Sequence, residues 1–127
     1  MNPLSLALVA IGGAIGSVSR SLFSTFVLRV TGSLLPVGTF AVNVVGCVAF
    51  GAIVGAAEHR FVLTPETRAF LLVGILGGFT TFSSFMLDTF TLGHGGDHTL
   101  AFWNVAAQTA FGLAAVWAGY RVGVSIG

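Results

Sequence analysis

The chain has 127 residues, of which 55% are hydrophobic and only 7% charged, with 18 glycines and a mean hydropathy of +0.99. Charge this sparse, a formal net of +1 without a single lysine, excludes an ordinary soluble domain and offers no basic surface, so no nucleic acid partner is expected. A spanning helix requires about 20 apolar residues, and four such stretches nearly exhaust the length, so the expectation is an all-α membrane protein forming one domain over residues 1–127.

The first span is expected at about 4–28. It has no basic residue ahead of its apolar run and continues through Arg20 into more apolar sequence, which suits a retained helix better than a signal peptide. The second, about 36–57, carries Asn43 and the lone Cys47, which excludes an intramolecular disulfide. The third, about 66–92, contains "GGFTTFSSF" at 77–85 and then Asp88. The fourth, about 99–124, carries Asn104 and Gln108, four residues apart and therefore on one helical face.

The connectors "RVTGSLL", "EHRFVLTP" and "GHGGDH" are too short for an extramembrane domain. His94, Asp97 and His98 fall in the last of these, a glycine-rich stretch that reads as a solvated loop rather than a metal site. No nucleophile and base can be paired, so an enzyme is not expected. Arg20 and Arg29 lie on one side, and Arg60, Arg68 and Arg121 on the other. An arginine bias of three to two gives little orientation preference and leaves both insertions open.

Four helices are too few to enclose a polar route alone, so the chain is expected to form an oligomer, with an antiparallel two-fold dimer as one solution that weak charge bias permits. Gly12 with Gly16, Gly51 with Gly55, Gly74 with Gly78 and Gly119 with Gly123 have the small-xxx-small spacing that lets helix backbones approach closely.

Polar groups inside a span are costly and by default face a partner or a water-filled path. Arg20, Asn43, Asp88, Asn104 and Gln108 make up that set. In the "GGFTTFSSF" stretch, Gly77 and Gly78 permit backbone angles that interrupt a helix, and Thr80, Thr81, Ser83 and Ser84 can satisfy the released backbone groups. The third span is therefore expected to be discontinuous near 77–81, exposing carbonyls to a cation and amides to an anion. Phe79, Phe82 and Phe85 recur every three residues, and an aromatic ring is positive at its edge, so an edge-on ring can face an anion. The residues point to a small oligomeric conductor of an anion, with Arg20 either snorkelling to the interface or supplying positive potential at its mouth.

With "GGAIGSVSR" in the first span, "GTFAVNVVG" in the second and "GILGGFTTFSSF" in the third, the chain resembles the Fluc (CrcB) fluoride channels over nearly its whole length. The resemblance implies a dual-topology, antiparallel homodimer in the cell (inner) membrane, a multi-pass protein that lets fluoride cross the lipid bilayer passively through two pores. It implies a structural sodium ion at the dimer centre, held by the backbone carbonyls of Gly77 and Thr80 from each subunit. It also implies a fluoride route past Asn43, Phe82 and Phe85, with Ser83 and Ser84 as neighbouring donors.

This sequence departs from the family pattern in two places. Asn104 and Gln108, followed by Gly112, stand on a fourth-helix polar track where relatives often carry Tyr and Ser, and Asp88 stands where a glutamate is expected. All three are assigned to the route. Two other classes compete. A proton-coupled exporter of the small multidrug type needs a membrane-embedded acid, generally in the first helix, and that helix has none. A non-transporting assembly subunit would use the glycines and amides for packing alone.

Overall fold

The computed structural model describes residues 1–126. Helix α1 spans Pro3–Thr31 and α2 spans Val37–Ala57. The third span, Pro65–His94, divides into α3 (65–79) and α4 (Phe82–His94), and α5 is His98–Ile126. These make four spans of 29, 21, 30 and 29 residues, each long and apolar enough to cross a bilayer.

Helix ends follow local chemistry. Asn2 caps α1 by accepting the Ser5 N–H at 2.8 Å, and Pro3 fits the first turn, where its missing N–H costs nothing. The helix stops at Gly32, which takes a left-handed conformation at φ 60° and returns its N–H to the Leu28 carbonyl. Helix claims both His94 and His98, so only residues 95–97 lie between α4 and α5. His94 stacks on Phe90, and Asp97 accepts the Leu100 N–H as a cap.

Tight packing comes from the glycine pairs. Along α1, a Cβ on Gly12 or Gly16 would collide with the Phe70 and Ile75 carbonyls of α3; on α2, Gly51 and Gly55 meet the Val116 and Tyr120 carbonyls of α5, which answers with Gly119 and Gly123 against Val48 and Ala52. The bundle is thus two closely packed pairs, α1 with α3 and α2 with α5, and α4 rests mainly on α5. Lipid is as apolar as leucine, so backbone approach and not hydrophobic burial holds such pairs together. Large apolar side chains such as Leu22, Phe26 and Leu113 consequently point outward, and Val42 is the one side chain wholly enclosed among the described residues.

The third span departs from the expected mechanism. Gly77 and Gly78 remain helical, Gly77 at φ −63°, ψ −37°, and a Cβ on Gly78 would strike the Gly13 backbone. They serve as packing surface, and the extended residues are Thr80 (φ −83°, ψ 156°) and Thr81 (φ −149°, ψ 118°). A threonine can sit at such a break because its hydroxyl bonds to nearby backbone groups, here adding a second donor to a carbonyl that keeps its own N–H and capping the helix that follows. Thr80 Oγ1 donates back to the Leu76 carbonyl at 2.9 Å, and Thr81 Oγ1 accepts the Ser84 N–H at 3.1 Å, capping α4. Ahead of this point, Arg68–Leu76 is wound as a π-helix, a rare winding that is common near functional sites.

Gly119→Val would push a side chain into the Val48 carbonyl, which as backbone cannot step aside, so its cost should reach or exceed the about 1–3 kcal/mol of ordinary overpacking. Gly13→Ala, whose Cβ meets nothing within 4 Å, should be close to neutral. Thermal midpoints in detergent compare the two; equal midpoints would contradict the close-packed seam.

Candidate functional site

The site begins where Asn43 of α2 meets the extended residue Thr81. Asn43 Oδ1 accepts the Thr81 N–H at 2.9 Å, and Asn43 Nδ2 donates to the Thr81 carbonyl at 3.0 Å, so one side chain occupies both backbone groups of that residue. The second Nδ2 hydrogen goes to Gln108 Oε1 on α5, also at 3.0 Å. From there the line continues to Asn104 Oδ1 through Gln108 Nε2 at 3.3 Å, then from Asn104 Nδ2 to Thr89 Oγ1 at 2.9 Å, and ends as Thr89 donates to the Phe85 carbonyl.

Counting hydrogens assigns roles along this line. An amide carries two N–H donors, and Asn43 has committed both, so it fixes geometry and has no donor left for an ion. Gln108 and Asn104 each keep one uncommitted N–H. Those two hydrogens, one helical turn apart on α5, are the donors that the amide line leaves uncommitted.

Two cavities meet at Thr81. One, of about 260 Å³, brings together Asn43, Thr80, Phe82, Phe85 and Gln108, with Cys47, Phe50, Thr109 and Gly112. Phe82 and Phe85 lie edge to face there, 5.9 Å apart at 86°. Phe85 is buried at 8% exposure and Phe82 is 72% exposed, so the pair runs from the interior of the subunit to its surface. Phe79 does not join them, because it packs against Phe23 of α1. The other cavity, of about 270 Å³, sets Arg20 among hydroxyls: Ser21, Ser24, Thr25, Thr39, Thr81 and Ser84. A smaller apolar cavity of about 190 Å³, walled by Phe40, Leu92 and Trp103, reaches Asn104 toward the end of the span.

The expected residues are therefore not all in one place. Ser84 shares the cavity of Arg20 and not that of the phenylalanines, and Ser83 is exposed, 3.5 Å from Thr81 Oγ1. Asp88 is half-buried on α4, its Oδ2 is enclosed without a hydrogen-bond partner, and it takes no part in the amide line. Sequence reasoning left out Thr39, Thr89 and Thr109. Helical spacing could have found Thr39, four residues before Asn43, and Thr89, four after Phe85.

Four carbonyls, those of residues 77–80, are released at the interruption, since no backbone N–H of residues 81–84 bonds back to them. In a continuous helix the Thr81 N–H would go to Gly77 and the Ser84 N–H to Thr80; these donors go to Asn43 and to the Thr81 hydroxyl instead. The Gly77 and Thr80 oxygens thus lose their helical partners, as do those of Gly78 and Phe79 between them.

The family model described as CrcB-like protein, Camphor Resistance (CrcB) matches residues 7–120. The chain belongs to this family. A relative from Allorhizobium ampelinum is 44% identical over 115 residues, covering 91% of this chain and 92% of its own, and is named fluoride-specific ion channel FluC. Relatives of the same name from Agrobacterium fabrum, 44% identical over 120 residues, and Rhizobium johnstonii, 45% over 115, cover 94% and 91% of this chain and 96% and 92% of their own. With its four apolar spans, this member of the CrcB-like family is a multi-pass membrane protein.

Asn43→Leu would leave the Thr81 N–H and carbonyl without partners, and a buried unpaired group costs about 1–3 kcal/mol each. It should lower the thermal midpoint more than Gln108→Leu, which removes only side-chain to side-chain bonds. The reverse order would remove Asn43 from its holding role.

Proposed function

We infer that this chain forms a passive, fluoride-selective channel. One observation carries the reading: Asn43 holds an interrupted helix open beside an edge-to-face phenylalanine pair and two uncommitted amide hydrogens, in a chain whose relatives are named fluoride channels. Fluoride is small and strongly hydrated, so a route must replace its water with donors. Ring edges of Phe82 and Phe85 offer positive charge in the middle of the span, and the free hydrogens of Gln108 and Asn104 continue toward the surface. Arg20, among its hydroxyls, supplies positive potential to the second cavity and draws anions toward Thr81.

The proposed assembly is an antiparallel, dual-topology homodimer with two pores. Its support is the three-to-two arginine split and the outward position of Phe82, an aromatic ring on the route that a second copy would cover. Gly77 and Thr80 carbonyls from two copies would supply four oxygens to a central sodium ion, a structural charge that keeps the two interrupted spans together.

Liposomes holding the purified protein, with a potassium ionophore to balance charge, should lose fluoride rapidly and retain chloride when followed by ion-selective electrode. Absence of fluoride flux from a folded protein would overturn the channel and favour an assembly subunit. Phe82→Ile should slow fluoride roughly two- to twelvefold, the scale of about 0.5–1.5 kcal/mol for an aromatic contact, with the oligomer intact. Unchanged flux would take Phe82 off the route.

The sodium proposal has a separate test. The thermal midpoint should rise with sodium and not with N-methylglucamine at equal ionic strength, since a ligand bound only by the folded state stabilises it. Equal midpoints would remove the ion and leave the channel standing.

A further inference from the structure

Away from the central polar line, one other cavity is walled by donors that have nothing to donate to. It holds about 430 Å³ and lies between the start of α1 and the start of α3, lined by Asn2, Ser5 and Arg68 on one side and by Met1, Pro65, Ala69 and Val73 on the other. Asn2 uses Oδ1 to cap α1, which leaves its Nδ2 hydrogens unpaired. Ser5 keeps only 6% of its surface exposed, and its hydroxyl has no hydrogen-bond partner among the described residues. The Arg68 guanidinium has no carboxylate partner among the described residues, and Glu66, two positions before it, does not line the cavity.

Every polar group on this wall can donate: an amide, a hydroxyl and a guanidinium fork with its five N–H groups. The amides in the first turn of the 29-residue α1 add the positive end of a helix dipole. No acidic side chain offsets them in the cavity. Both contributing helices begin here, at the end of their membrane spans, where lipid headgroups meet water.

We propose that this cavity binds the phosphate of an anionic membrane phospholipid. Arg68 grips the phosphate oxygens as a fork, as guanidinium groups do, with Asn2 and Ser5 completing the donor set. The Met1, Ala69 and Val73 wall receives the glycerol and the first acyl carbons. That apolar half is what selects a lipid over a free phosphate ion, which would have no use for it. The site stands apart from the Arg20 cavity, toward the opposite end of α1, and does not depend on the chain being a channel.

Native mass spectrometry of the full chain in detergent, titrated with phosphatidylglycerol, phosphatidylcholine and inorganic phosphate, tests this. Phosphatidylglycerol should bind and persist. Arg68→Gln should weaken it about fivefold, the effect of one arginine at an anionic surface. Ser5→Ala should weaken it less, and Arg121→Gln should leave it unchanged, because Arg121 sits on the same side but over the Trp117 ring, outside the cavity. Equal losses from Arg68→Gln and Arg121→Gln would replace the site with diffuse surface attraction. Phosphatidylcholine binding as tightly would remove the anionic preference, and inorganic phosphate displacing the lipid would make this a free-anion site. Arg68 is exposed, so its substitution should preserve folding, and an unchanged thermal midpoint confirms that the comparison is valid.

Discussion

The bonds between Asn43 and Thr81 are the condition for the rest of the molecule. Inside a bilayer no water is present to satisfy a backbone group that leaves a helix, so an interruption survives only where protein supplies both a donor and an acceptor. One asparagine amide supplies both to Thr81, and the Thr81 hydroxyl takes the Ser84 N–H that a continuous helix would send to Thr80. Without that exchange the Thr81 N–H and carbonyl would be left unpaired inside the span.

Glycine determines where this happens. Because the α1 and α3 backbones meet at Gly12, Gly16 and Gly78, the first half of the third span is drawn against α1, whereas α4 rests on α5. A span pulled toward different neighbours at its two ends leaves space on both sides of the junction. Those spaces are the hydroxyl-lined cavity of Arg20 and the aromatic cavity of Phe82 and Phe85, with Thr81 as their common wall. Packing and the two cavities are therefore consequences of the same small residues.

The amide line also separates support from contact. Asn43, with both donors committed, is a structural element of the site, whereas Gln108 and Asn104 each keep one N–H outside the line, the hydrogens that the proposed channel would use. A Gln–Asn pair on α5 keeps the four-residue spacing of a polar face while providing donors that, unlike a lone hydroxyl, can hold a neighbour and still offer a hydrogen. Family membership, shown by relatives 44–45% identical over most of the chain, agrees with a fold devoted wholly to the membrane.

By itself the sequence determined the four spans, the short connectors and the glycine seams, because length of apolar run and four-residue spacing are local properties. Asn43, Phe82, Phe85 and Gln108 stood out within a larger expected set because polar or clustered aromatic residues in an apolar span are conspicuous, but that these four share a cavity was decided by the fold. Tertiary structure alone decided the partners. It moved the helix interruption off the glycines onto two threonines, placed Ser84 with Arg20, sent Phe79 to Phe23, and left Asp88 outside the amide line. These are choices among neighbours on different helices, set by how close two backbones come, and no spacing within one helix encodes that distance.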